Sequence, residues 1–238
     1  MMTLNNLLND KPLGVLCAMP EEVAEYLKHF EDTTPEEVSG VKFYHGILGS
    51  QKVILAQCGV GKVHAAVSSQ TMILKYGVGA IIFSGVAGAL ASDLEVGDMV
   101  ISQDALQHDM DLVPLGFQPG EIPWTGWTEF ACDPILIKSA KNAAEALKLP
   151  HKVGRAVSGD QFVADPERVK ALKDYFKGDC VEMEAGAVGQ VCMLNGGVPW
   201  ITVRAISDKA DHSSPVDFPS FCQEAAVKAY HLVVEMTR

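Results

Sequence analysis

Four short segments of this 238-residue chain place acids or glycines directly after apolar runs: Met19–Glu22, Ser84–Gly88, Glu182–Glu184 and Arg204–Asp208. In α/β sheets ligands collect beyond strand ends, so chemistry is sought there first. Taken alone, Glu21 and Glu22 are better explained as acids complementing the dipole of a first helical turn. The Ser84–Gly88 glycines let a backbone approach a ligand or simply make a turn, and Val86 brings no hydroxyl to bind a phosphate. Glu182 and Glu184 flank Met183 between two apolar stretches. One glutamate can cap the following helix, but two acids in so apolar a setting need a further reason. Arg204, inside a strand that reads as buried, needs a partner, and Glu184 is a candidate.

Acids gathered in one cleft suit glycosidic chemistry. Breaking a C–N bond to ribose builds positive charge on the sugar and negative charge on the leaving base. One acid then protonates the base, a carboxylate activates water, and an anion favours the cationic sugar. Distinct environments can hold one carboxyl protonated and another ionised.

The elements that must position these residues alternate. Strands are expected over Leu13–Ala18, Val41–Leu48, Lys52–Gln57, Ala80–Ser84, Gly97–His108, Lys152–Val157, Asp179–Val181 and Trp200–Ile206. Helices are expected over Pro20–Phe30, from Gly61 to Gly77, over Pro134–Leu147, from Asp165-Pro166, over Ala185–Leu194 and over Pro219–Glu235. Val63, Ala66, Val67, Ile73 and Leu74 mark the second helix, and Phe221, Ala225, Leu232 and Val233 the core stripe of the last. Asp111–Phe130 has no periodicity and reads as an ordered excursion. The pattern predicts an α/β fold: one domain over residues 13–238, a mixed β-sheet flanked by helices on both sides, preceded by a short polar extension over 1–12.

The formal charge of −11 disfavours nucleic acid and anionic membranes as partners. Apolar residues make up 48% and charged ones 21%, enough for a sizeable core. The six cysteines lack metal-ligand spacing and read as buried free thiols. No metal or cofactor is implied. Met1–Pro12 lacks a signal-peptide pattern, and Val78–Ala91 is too short to span a bilayer, so a cytoplasmic location is expected.

The blocks together resemble the 5′-methylthioadenosine/S-adenosylhomocysteine nucleosidases. The match comprises Gly14–Glu22, Gly59–Val63, Ser84–Gly88, Val96–Asp98, His108–Asp111, Ser158–Phe162, Val181–Ala185, Arg204–Asp211 and Asp217–Phe221, in that order over nearly the whole chain. The resemblance implies a nucleoside phosphorylase-like fold, a homodimer, and hydrolysis of an adenine nucleoside to adenine and a thioribosyl sugar. It assigns Glu22 to water activation, and Asp208, with Ser207 beside it, to protonation of adenine N7. Glu184 would hold the ribose hydroxyls with Met183 packed on the sugar, and Arg204 would lie near the water and Glu184. Phe162 and Val163 would form the adenine pocket, with Val86, Ala87, Gly88 and Glu182 also at the substrate. Met19, Val60 and Phe218 would wall the 5′ substituent, joined by Leu115 and Pro123 of a second copy. Val86 stands where many members carry serine, and Leu115 where an aromatic is common. The phosphate-binding arginines of the related phosphorylases have no counterpart, which favours water as nucleophile. The same chemistry on 6-amino-6-deoxyfutalosine, a purine nucleoside phosphorylase, and a non-catalytic nucleoside binder are the alternatives.

Overall fold

The computed structural model describes residues 3–30, 33–211 and 214–238, without the side chains of Pro215 and Asp217. The first strand, β1 (Leu13–Cys17), is buried along its whole length, as expected of a parallel strand covered on both faces. It pairs in parallel with β4 (Gln51–Gln57) on one side and β5 (Ala80–Ala89) on the other. β4 forms the predicted hairpin with β3 (Val41–Leu48), and β2 (Glu36–Val38) adds the edge. Beyond β5 lie β10 (Trp200–Asp208), β6 (Met99–Gln107), β8 (His151–Ser158) and β9 (Cys180–Glu182), and β9 returns to pair with the far end of β5. A short β7 (Glu129–Ala131) lies along β6. The mixed sheet therefore closes on itself around β5, and one end of the closure holds the acids.

The helices are α1 (Leu4–Leu8), α2 (Pro20–Leu27), α3 (Lys62–Leu74), α4 (Pro134–Ala146), α5 (Pro166–Phe176), α6 (Ala185–Leu194) and α7 (Ser214–Met236). Asp165 caps α5 through the N–H of Arg168, with Pro166 at its first position, as the sequence suggests. No helix among the described residues is long and apolar enough to cross a membrane. All six cysteines are free and buried.

Several expectations need correction. The 1–12 extension is not merely polar: Thr3 caps α1 and Leu4 and Leu8 are buried. Residues 1 and 2 lie outside the described residues. Ser84–Gly88 is not a loop, because β5 continues to Ala89. The tight packing there explains the glycine, since a Cβ at Gly85 would collide with Glu22 Oε1 and Arg204 Nη1. α3 buries its small face, Ala65, Ser68, Ser69 and Met72, and leaves Val63 and Leu74 more than 70% exposed. α7 begins five residues before Pro219, and Phe221 faces outward while Cys222, Ala225 and Ala229 pack inward.

Candidate active site

A cavity of about 240 Å³ opens where β1, β4, β5, β9 and β10 end. Glu22, on the first turn of α2, forms its floor and is 3% exposed. Its Oε2 accepts the N–H groups of Ala18 (2.7 Å) and Met19 (2.9 Å), and its Oε1 accepts that of Val86 (2.9 Å). Glu22 thus closes its own helix N-terminus and also reaches across to β5; the capping explanation accounts for only part of its contacts. Burial raises its pKa despite Arg204 and the three amide donors.

Asp208 ends β10 and is 2% exposed. Ser207 Oγ donates to its Oδ2 at 2.9 Å, and the N–H of Ala210 donates to its Oδ1 at 2.8 Å. Ala210 adopts a left-handed backbone with φ +53°, a strained choice for a residue with a Cβ. That turn aims its N–H back at the carboxylate.

Arg204 lies beneath the floor, fully buried, and is not part of the lining. Its principal partner is Glu182, bonded through Nη2; Glu184 Oε2 is 3.4 Å away and Glu22 Oε1 3.9 Å. The guanidinium also stacks on Phe83, 4.2 Å from the ring centre. Burial opposes its charge, but Glu182, Glu184 and Glu22 outweigh burial and raise its pKa.

The two glutamates around Met183 divide the work. Glu182 Oε2 accepts the N–H groups of Glu184 (3.1 Å) and Ala185 (2.8 Å), and Oε1 accepts the hydroxyl of Ser158. Glu182 is the helix cap, Arg204 partner and strand tie at once. Glu184 is left with the N–H of Gly61 (2.8 Å), the long Arg204 contact and the cavity. Burial, with Glu182 adding repulsion, pushes its pKa up to about 8.

The remaining wall is mainly apolar. Met19, Val60, Val86, Ala87, Gly88, Met183, Ser207 and Phe218 all line the cavity. Phe162 and Val163 line it as well, and the Phe162 and Phe218 rings meet edge to face at 5.6 Å. Leu115, 70% exposed in a short 3₁₀ turn, and Pro123 do not line this cavity. Sequence reasoning gave no role to Ala18, Gln161 and Val181, which also line it, or to Ser158, which holds Glu182. Ala18 acts through its backbone, which no residue type signals; Gln161 and Ser158 sit in a motif that was already singled out.

A fold of this kind with an acid-lined cavity at the sheet's closure matches a known class. The phosphorylase superfamily model matches residues 12–238. A 5′-methylthioadenosine/S-adenosylhomocysteine nucleosidase of Staphylococcus haemolyticus is 38% identical over 227 residues, 95% of this chain and 99% of that protein. The Helicobacter pylori nucleosidase of the same description, solved with a pyrrolidine inhibitor, superposes with a TM-score of 0.90 at 34% identity, over 95% of this chain and 97% of that one. A structure described as futalosine hydrolase of Helicobacter pylori gives a TM-score of 0.91 at 34% identity, over 96% and 97%. The chain belongs to the phosphorylase superfamily and, within it, to the 5′-methylthioadenosine/S-adenosylhomocysteine nucleosidases; it is an N-glycosidic hydrolase.

Proposed function

We propose that the chain hydrolyses the adenine–ribose bond of 5′-methylthioadenosine and S-adenosylhomocysteine, releasing adenine and the 5′-thioribosyl sugar. The observation that carries this is the meeting of Glu22, Glu184 and Asp208, from three different elements, around one cavity with an otherwise mainly apolar wall. Asp208 gives its proton to adenine N7 as the N9–C1′ bond breaks. Glu22 takes a proton from water as the water oxygen bonds to C1′. The pKa raised by burial makes Glu22 a stronger base than an exposed glutamate. Glu184 holds the ribose hydroxyls, with Met183 packed on the sugar. Arg204 keeps Glu184 and Glu22 in place from below. Phe162 stacks on adenine while the Val163 backbone reads its edge.

Water rather than phosphate is the nucleophile in this reading. None of the described lining residues is Lys, Arg or His, and the acids would repel a phosphate. This also disfavours a phosphorylase. The 5′ group lies against Met19, Val60 and Phe218, with Leu115 and Pro123 reaching in from a second copy in a homodimer. Support for the dimer comes from a set of exposed apolar side chains, Val63, Val67, Leu74 and Leu194 on α3 and α6 with Leu115 and Trp124 on the excursion.

A substrate panel with and without phosphate, following free adenine, tests the reading. Methylthioadenosine and adenosylhomocysteine should release adenine equally well without phosphate, and strict phosphate dependence would sink the hydrolytic mechanism. 6-Amino-6-deoxyfutalosine belongs in the panel because the similar Helicobacter pylori structure is described as futalosine hydrolase.

A further inference from the structure

One polar cluster outside the cavity touches both ends of the proposed nucleoside site. α3 starts at Lys62, behind Gly61, with no side-chain cap of its own. Acids from other parts of the chain take its first N–H groups. Gly61 donates to Glu184 Oε1 and Lys62 to Asp160 Oδ1, both at 2.8 Å. Gly61 adopts φ +99°, a conformation that residues with a Cβ rarely take, and a Cβ there would lie a tight 3.1 Å from Asp160 Oδ1.

The Lys62 side chain turns this contact into a ring. Its Nζ donates to Asp109 Oδ1 at 2.7 Å and to Gln107 Oε1 at 3.1 Å. Asp109 Oδ2 accepts the N–H of Asp160 at 3.0 Å, and Asp160 Oδ1 leads back to the Lys62 N–H. The Lys62 and Asp109 side chains are 17% and 18% exposed, so solvent screens this pair less than a surface pair. Burial opposes the Asp109 charge, yet Lys62 and the Asp160 N–H hold its carboxyl below the usual range. Gln107 passes the connection on to α6 by donating to Gln190 Oε1 at 2.6 Å.

The two sides of the cavity meet in this ring. Asp160 begins the segment that carries Gln161, Phe162 and Val163 into the lining, and Glu184 begins α6. Lys62 does not line the cavity. We infer that Lys62 is a positioning residue that fixes the spacing between the base-side loop Asp160–Val163 and the sugar carboxylate Glu184, so that one nucleoside engages both. The inference rests on the nucleoside reading of the cavity.

The test uses the full chain carrying Lys62→Met, with calorimetric binding of free adenine, KM and kcat for methylthioadenosine, and thermal unfolding. The nucleoside KM should rise about tenfold, as for loss of a charge-assisted hydrogen bond, with kcat and the Kd of free adenine, which engages the base side alone, changing less. Lys62→Arg, which keeps charge and donors, should restore most of the affinity. Asp109→Asn should raise the nucleoside KM in the same way, and the double variant should be no worse than the weaker single one, because both cut one ring. A nucleoside KM unchanged in both single variants, even with a lowered melting temperature, overturns the positioning role, and so does a Kd of free adenine that rises as much as the KM. Additive losses in the double variant overturn it too. An unmodified chain that neither binds nor releases adenine would instead refute the nucleoside reading beneath it.

Discussion

The floor and the rim of the cavity are built on opposite plans. On the floor, Glu22, Glu182, Glu184 and Arg204 are each at most 6% exposed and hold one another through strand ends and helix N-termini of a single chain. Their geometry is complete in one copy. At the rim, Phe162 is 52% exposed and Val60 45%, and the nearby α3 face presents Val63 and Val67 to solvent. The rim has apolar area without a cover. The contrast teaches that the charged groups are preorganised by the fold of one chain, whereas the apolar rim, part of which the proposed function places at the substrate's 5′ end, stays exposed in a single copy.

The first way to break this division is at the floor. Glu22→Gln removes the base and keeps the shape. It should lower kcat about 10²- to 10⁴-fold with nucleoside binding retained, measured by adenine release and by equilibrium binding. An undiminished rate would remove Glu22 from the chemistry. Arg204→Met should cost stability rather than catalysis alone. It leaves three buried carboxylates without their cation, a loss of about 3–5 kcal/mol in urea unfolding. A loss below about 1 kcal/mol would show that the floor does not depend on the guanidinium.

At the rim the effect should be smaller and depend on a second copy. Val63→Glu should shift the chain toward monomer in sedimentation and raise the KM for methylthioadenosine about three- to tenfold, the scale of one lost apolar contact. Val63→Glu monomers with unchanged KM would show that the rim is complete in one chain. A separate effect is expected on pH dependence. The raised Glu184 pKa means that its contribution to stability is fully present below its ordinary value of 4.5 and is lost as pH rises through about 8. The ligand-free melting temperature should therefore fall between pH 5.5 and pH 8.5, and Glu184→Gln should flatten that fall. An equal fall in the variant would place the proton elsewhere.

The same contrast governs what could be read from sequence. Strand and helix alternation was legible because β1 is an unbroken apolar run, because β10 is apolar from Trp200 to Ile206 apart from Thr202 and Arg204, and because Asp165-Pro166 is an unambiguous helix start. The acids were visible as residues out of place in apolar surroundings. Their pairing was not: Arg204 suggested Glu184 as partner, but Glu182 is the nearer one, since the two glutamates differ by only two positions and only the helix cap decides which turns inward. The glycines of Ser84–Gly88 misled because they serve close packing inside a strand rather than a turn. The α3 face misled in the opposite sense. Its valines and leucine trace a helical stripe, but the buried face is the small one. Sequence periodicity finds an apolar face and cannot say whether the core or another copy covers it.

The central claim is that the site protonates the leaving base through Asp208, and its most direct test varies the leaving group. Wild type and Asp208→Asn would be compared on methylthioadenosine and on the 4-nitrophenyl glycoside of the same thioribosyl sugar, whose leaving group departs without a proton. Adenine release by the variant should fall about 10²- to 10⁴-fold while nitrophenolate release falls far less. Equal losses on both substrates would contradict the assignment of Asp208 as the acid.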